Sequence, residues 1–226
     1  GQPSTSVRLN EANQADEKDT VSFSNDIVSA SFDKSTGVLT KVSSGGVDLD
    51  LTQEWGYYTS FDRDIDPTEI QHDQNSGAYI FRPSIPEMDL ITVDAVAGGA
   101  TFVNTSVGLE VHVAFEENWI RQVTRVFSGQ PFVEIEYTIG PVPIDDGRGR
   151  EVVTRFLAPS IKNEAVFFTD SNGREFLRRQ RNFRPTWDME VYEPVAGNYY
   201  PVNAGIYIED AQAAMAVLTD RSQGGG

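Results

Sequence analysis

The run Leu109-Glu110-Val111-His112-Val113-Ala114-Phe115 decides how this chain folds. Val111, Val113 and Phe115 fall on one face, and Glu110, His112 and Ala114 fall on the other. That two-residue period belongs to a half-buried β-strand. Working outward, the same alternation places Val28, Ala30 and Phe32 opposite Ser29 and Ser31. Asp33-Lys34-Ser35-Thr36-Gly37 reads as a turn with glycine where positive φ is needed, and residues 38–42 return as a second strand. Further strands are expected at 55–58, 90–96, 100–103, 119–127, 132–139, 151–158, 205–208 and 213–218. Gly45-Gly46 makes one turn, and Gly140-Pro141-Val142-Pro143 breaks the pattern. Between Phe167-Phe168-Thr169 and Arg174-Glu175-Phe176, the tetrad Asp170-Ser171-Asn172-Gly173 carries the strongest short hairpin signal, because Asn and Gly both tolerate positive φ. Residues 184–187 and 194–201 read as irregular, and the last strand ends at 219–224. Short alternating strands, glycine-rich turns and no convincing helix predict an all-β chain built as an antiparallel β-sandwich.

The totals bound the rest. A chain of 226 residues is long enough for one large all-β domain or two small ones. Residues 1–20 hold few apolar positions and read as a linker or arm, with order expected from Val21. The same stretch has no apolar core of a signal peptide, and the two ends read as cut points. With 34 acidic residues against 18 basic, the formal charge is −16. That argues against a nucleic-acid partner, which needs a net cationic face. It suits work in acid, where carboxylates protonate and self-repulsion falls. No apolar run approaches the roughly 20 residues of a membrane span. The absence of cysteine removes disulfide and thiolate chemistry. Asn104-Thr105-Ser106 is the single N-glycosylation sequon, with Asn104 the candidate acceptor.

Side chains that carry chemistry are few. Asp62, Asp64 and Asp66 have the alternating oxygen spacing of a calcium loop, but Pro67 stands where glycine is needed and Asp73 where glutamate is needed. A solvated acidic loop is the expectation. His72 and His112 are the two histidines, too few and too scattered for a zinc site within the chain. No nucleophile elbow appears, and no carboxylate pair stands out as a glycosidase pair. The arginines at 174, 178, 179, 181 and 184, interleaved with Phe176, Phe183 and Trp187, are expected to bridge to acidic loops.

Asn75-Ser76-Gly77-Ala78-Tyr79-Ile80-Phe81-Arg82-Pro83 follows the acidic loop. It reads as the opening of a strand, with Tyr79 and Phe81 on one face and Ile80 and Arg82 on the other. Pro83 ends that strand or puts it at an edge. Gly77 and Ala78 leave room for another surface to approach closely, and Tyr79 stands beside the gap. From the residues alone, Tyr79 is a buried edge-strand tyrosine.

Ser76 to Pro83 resembles a signature of the class II α-mannosidases, glycoside hydrolase family 38, especially lysosomal acid α-mannosidases. Downstream, Gly140-Pro141-Val142-Pro143, Gly149-Arg150-Glu151-Val152-Val153-Thr154-Arg155-Phe156 and Phe168-Thr169-Asp170-Ser171-Asn172-Gly173-Arg174-Glu175 are similar to family motifs. Arg184-Pro185-Thr186-Trp187, the segment Pro194-Val195-Ala196-Gly197-Asn198-Tyr199-Tyr200-Pro201-Val202-Asn203, and Leu218-Thr219-Asp220-Arg221-Ser222-Gln223-Gly224-Gly225 follow in the family's order. The opening hairpin is similar to the entry of the galactose-mutarotase-like sandwiches of glycosidases.

The resemblance implies that residues 21–226 are the N-terminal part of the large C-terminal β-sandwich of a retaining, zinc-dependent exo-α-mannosidase, incomplete in this chain. It implies that zinc and an aspartate nucleophile belong to a separate α/β catalytic domain, so that this chain carries no catalytic or metal-binding residue. Tyr79 is then the substrate-binding residue, reaching toward mannose. The implied partners are that catalytic domain, the remaining sandwich strands (on the same or separately processed chains) and mannose-containing glycans, with homo-oligomers compatible. The implied place is the lysosome, vacuole or secretory pathway. The lack of cysteine departs from animal lysosomal members. The alternative is a free-standing carbohydrate-binding or structural β-sandwich without catalysis.

Overall fold

The computed structural model describes residues 19–66, 74–93, 99–115 and 119–226. They form two compact units interleaved along the chain. Of the described residues, one comprises those within 19–56, 90–143 and 153–158, and the other those within 57–89, 144–152 and 159–226. Among the described residues regular structure is almost entirely strand, as expected, with a 3-10 turn at Ala196–Asn198.

In the first unit, β1 (Thr20–Ser24), β2 (Val28–Asp33), β3 (Leu39–Ser44) and β4 (Val47–Asp50) form an antiparallel meander. Val28, Ala30 and Phe32 on β2 are buried, while the intervening residues are partly exposed. Asp33 fixes the β2–β3 turn. Its carboxylate accepts from the backbone N–H groups of Ser35 and Thr36 at 3.0 and 2.7 Å and from both hydroxyls. Gly37 closes that turn at φ +67, and a Cβ there would lie 2.6 Å from the Ala100 side chain and 2.7 Å from that of Val113. Backbone conformation and space both demand glycine.

Two strands, β5 (Thr52–Thr59) and β6 (Asp89–Ile91), come next in the chain. A second meander follows with β7 (Ala100–Thr105), β8 (Gly108–Ala114), β9 (Ile120–Phe127) and β10 (Glu134–Ile139), in the order β10-β9-β8-β7. Leu109, Val111 and Val113 of β8 are buried on one face. On the other face, His112 Nε2 lies 3.0 Å from Glu110 Oε2, and Arg125 reaches Glu110, Glu134 and Glu136 at 3.0, 3.0 and 2.6 Å. Phe32 meets Phe102 edge-on at 6.4 Å between ring centroids, so the two meanders share an apolar layer as a sandwich does.

That core encloses a polar chain. The Trp55 indole N–H donates to Gln122 Oε1 at 2.8 Å. Gln122 Nε2 donates to Gln53 Oε1 at 2.8 Å and Thr124 Oγ1 at 3.1 Å. Gln53 in turn donates to Thr154 Oγ1 at 3.0 Å. Trp55, Gln53, Gln122 and Thr124 are all buried. Thr154 lies on β11 (Arg150–Leu157), which forms a three-stranded sheet in the order β11-β5-β6.

In the second unit, β12 (Val166–Asp170), β13 (Phe176–Gln180), β15 (Gly205–Glu209) and β16 (Ala214–Leu218) make an antiparallel sheet ordered β13-β12-β15-β16. Beside it, β14 (Tyr200–Val202) pairs with β17 (Gln223–Gly225). The β12–β13 hairpin turns through Asn172 and Gly173 at φ +52 and +69, with the Arg174 N–H donating to the Ser171 carbonyl at 3.0 Å. Two consecutive positive-φ residues are what a type I′ turn requires. Asp170 is buried at its foot and accepts from the N–H groups of Gly173, Asn203, Ala204 and Gly205 at 2.8 to 3.1 Å. Those bonds hold its carboxyl at about 2.

Several boundaries differ from the sequence expectation. The strand expected at 90–96 is β6 plus a single bridge from Val93 to Phe115, and residues 94–98 lie outside the described residues. Residues 174 and 175 belong to the turn, not to a strand. Tyr200 and Pro201, read as irregular, and Gln223 and Gly224, read as the end of the last strand, lie in β14 and β17, which pair with each other. Proline and glycine depress strand propensity there, but a long-range partner outweighs it.

Candidate functional site

Tyr79 sits at the tip of a loop whose neck is fixed by backbone hydrogen bonds. The Ser76 N–H donates to the Phe61 carbonyl at 3.0 Å, and the Phe61 N–H donates to the Arg82 carbonyl at 2.7 Å. Across the neck, the Arg82 N–H donates to Ser76 Oγ at 3.0 Å. Inside it, the Gly77 N–H donates to the Ile80 carbonyl at 3.1 Å, bending the chain at 78–80. The strand expected here does not form, because these bonds close the segment on itself; among the described residues its sheet pairing is the bridge from Ser60 to Pro83. Nor is Tyr79 buried. It is 98% exposed, and nothing lies within 4 Å of a Cβ built on Gly77. A ring this large stays solvated only because the neck holds the tip out.

The loop forms one wall of a cavity of about 260 Å³ within the second unit, lined also by Glu151, Glu193, Val195, Gly197 and Tyr199. Glu193 is neutralised by Arg82, whose Nε lies 2.7 Å from Glu193 Oε1, with both side chains mostly buried. The opposite wall is the 3-10 turn. Asn198 secures it by donating to Asn182 Oδ1 at 2.7 Å and to the Pro194 carbonyl at 3.0 Å, while its own Oδ1 accepts from the Asn182 N–H at 2.9 Å.

Glu151, on β11, has no hydrogen-bond or ion-pair partner among the described residues, and burial pushes its carboxyl upward. Burial likewise raises the Tyr199 phenol, with Tyr58 and Glu151 adding to the effect. The sequence singled out neither Glu151 nor Tyr199. Glu151 stood only within a family-like motif, and nothing local marks a strand carboxylate as desolvated.

The other sequence candidates lie elsewhere. Asn104 is exposed on β7, the edge strand of its sheet. Asp66 is taken by Arg148, whose Nη2 lies 2.7 Å from Asp66 Oδ2 and whose Nε donates to the Ser60 carbonyl at 2.9 Å. His72 and Asp73 lie outside the described residues. Among the described residues, no three His, Asp or Glu side chains come together as a metal site. The arginines at 174, 178, 179, 181 and 184 make no ion pair there either, contrary to expectation. Arg179 and Arg184 instead lie over the Tyr200 ring at 4.2 and 5.3 Å from its centroid. A stacked guanidinium keeps its attraction without a carboxylate.

Residues 23–226 match the model of the glycosyl hydrolases family 38 C-terminal domain. Among curated proteins, lysosomal alpha-mannosidase of Mus musculus is 45% identical over 201 residues, covering 89% of this chain and 19% of the relative. The Homo sapiens lysosomal alpha-mannosidase is 42% identical over 205 residues, covering 91% and 20%. The alpha-mannosidase of Canavalia ensiformis is 42% identical over 198 residues, covering 86% and 19%. The chain thus spans about a fifth of the length of these relatives. With nearly its whole length matched and its all-β architecture in agreement, the chain belongs to the C-terminal domain family of the family 38 glycosyl hydrolases.

Proposed function

We propose that this chain is the β-domain portion of a retaining, zinc-dependent exo-α-mannosidase that removes terminal α-mannose from glycans. Residues 21–226 are the N-terminal part of its large sandwich; of the stretch read as an arm, Thr20 already belongs to β1 and residues 1–18 lie outside the described residues. Nucleophile and zinc ligands belong to another part of the polypeptide. Among the described residues no three His, Asp or Glu side chains come together to fit the metal. The names of the relatives support a lysosomal or secretory location.

The observation that carries the reading is Tyr79, held at a fixed loop tip with its ring 98% exposed. A tyrosine presented this way offers a flat apolar face for a sugar ring and a hydroxyl for one of its oxygens. The pocket behind it is small and mainly apolar at the loop side, as a monosaccharide site requires. Tyr79 would border the mannose site while the catalytic domain supplies the reacting groups.

The test is Tyr79→Phe in the complete polypeptide, assayed on an aryl α-mannoside with melting followed in parallel. Losing one neutral hydrogen bond lowers kcat/KM by about two- to twelvefold, and the melting temperature stays put because so exposed a hydroxyl supports no packing. Unchanged kcat/KM overturns the assignment.

A further inference from the structure

The pocket that Tyr79 borders contains two carboxyl groups in opposite conditions. Glu193 is spoken for: Arg82 lies 2.7 Å from it in a mostly buried pair. Glu151 is not. It projects from β11 into the same cavity, with no hydrogen-bond or ion-pair partner among the described residues. Beside it stand the Tyr199 phenol, which makes no hydrogen bond among the described residues, and the Tyr79 ring at the rim. Glu151 is half-buried and its carboxyl still reaches solvent in the cavity, so a ligand entering there meets a desolvated acceptor that no donor among the described residues occupies. The surroundings define that ligand. An anion is disfavoured, since the cavity's Arg82 is paired to Glu193 and no cation offsets Glu151; hydroxyl groups suit a carboxyl and a phenol, and a C–H face suits the aromatic ring. A hexose meets all three conditions, and about 260 Å³ accommodates one.

We propose that Glu151 is a second sugar-holding residue of this chain, hydrogen-bonding a hydroxyl of the hexose whose ring faces Tyr79. This rests on the reading of Tyr79 given above. As carboxylate it accepts from a sugar O–H; as neutral acid it donates to one. Because burial raises its pKa, the change between the two forms moves upward from the ordinary glutamate range, and sugar affinity changes with pH through that interval.

The sign of the stability effect separates this role from a structural one. A carboxyl whose folded pKa is raised favours the fold below the unfolded value near 4.3 and loses that advantage as pH rises through the folded value. At neutral pH the charged Glu151 therefore burdens the free protein. Glu151→Gln removes the charge, so it holds or raises the neutral-pH melting temperature while weakening sugar binding.

The experiment compares Glu151→Gln, Glu151→Ala and Tyr79→Phe in the complete polypeptide, with D-mannose as the probe. Two readouts are taken: the Ki of mannose against an aryl α-mannoside, from pH 4 to 7.5, and the rise in melting temperature that mannose produces. The expected result is a Ki raised about two- to twelvefold by Glu151→Ala. Glu151→Gln flattens the pH dependence of Ki and is at least as stable as the native protein at pH 7.5. If Tyr79→Phe raises Ki and both Glu151 variants leave it unchanged, the Glu151 inference falls and the Tyr79 reading stands. If none of the three moves Ki, both fall. If Glu151→Gln melts lower at pH 7.5 with Ki unchanged, Glu151 is structural and the inference is overturned.

Discussion

Replacing Gln122 by leucine breaks the buried polar chain at its centre. Gln122 accepts from the Trp55 indole N–H and donates to Gln53 Oε1, both at 2.8 Å, so leucine strands a buried donor and a buried acceptor together. Trp55 is 2% and Gln53 6% exposed, so water cannot replace either partner without opening the core. Each unsatisfied buried group costs about 1–3 kcal/mol, which sums to about 2–6 kcal/mol for the substitution. The bond that Gln122 Nε2 donates to Thr124 Oγ1 is lost as well, and that acceptor is buried too, so the cost does not fall below this range. The assay is denaturant unfolding of the complete polypeptide, followed by tryptophan fluorescence. A second variant checks the cause: adding Trp55→Phe removes the stranded indole N–H, so the double substitution destabilises by clearly less than the two singles summed. A Gln122→Leu protein within about 0.5 kcal/mol of native, the range of an inert surface change, would refute the reasoning.

Three further outcomes are expected. Asp170→Asn lowers the melting temperature at neutral pH and still at pH 4.5, because the folded carboxyl titrates at about 2 and its stabilisation, complete above the unfolded value near 3.9, is lost only as pH falls through about 2; a difference already gone at pH 4.5 would contradict the four-donor assignment. Gly173→Val costs about 1–3 kcal/mol through strain alone, since φ is +69 with open space around the position, and it leaves the KM of the folded enzyme unchanged; a stable variant with a greatly raised KM would move the hairpin into the binding site. Asn104 is proposed to carry a glycan, so Asn104→Gln in protein from a secretory host lowers the intact mass by one glycan, and an unshifted mass removes the assignment.

The strands were legible wherever one face is buried and the other wet. The Val28, Ala30, Phe32 and Leu109 to Val113 patterns write that asymmetry directly into the sequence. Turns were legible where conformation forces the residue, as at Gly37 and Asn172-Gly173. Segment 76–83 was misread for the same reason. Its alternating apolar residues imitate a strand, whereas the Phe61 backbone and the Ser76 hydroxyl fold it into a loop. No local pattern encodes that, because Phe61 is a distant partner. The family match pointed to Tyr79, yet its exposure became visible only in the loop's geometry. Glu151 was hidden more deeply. Desolvation depends on which segments close over a side chain, and residues 193–199 lie more than forty positions away.

The fate of the carboxylates ties composition to site. An acidic chain working at low pH faces a specific hazard: free Asp and Glu protonate near pH 4, and any turn that depends on their charge weakens. Here the structural carboxylates are moved out of that range. Ser35 and Thr36 hold Asp33 low, Arg150 and the Arg148 N–H hold Asp146 at about 2, and the Lys162, Gln212 and Ala213 N–H groups hold Asp210 low. Asp170 is held at about 2 by backbone donors alone. Glu110 is held low chiefly by Arg125, which keeps the sheet-face network charged in acid as well. Each of these groups stabilises its element more strongly once ionised, so the fold keeps its turns as pH falls toward 4. Glu151 runs the other way: burial opposes its charge and no donor offsets it. One carboxyl is thus tuned to change state where the structural ones do not, and it stands in the cavity that Tyr79 borders. Stability alone would favour glutamine at that position, so the acid is best understood through what it binds.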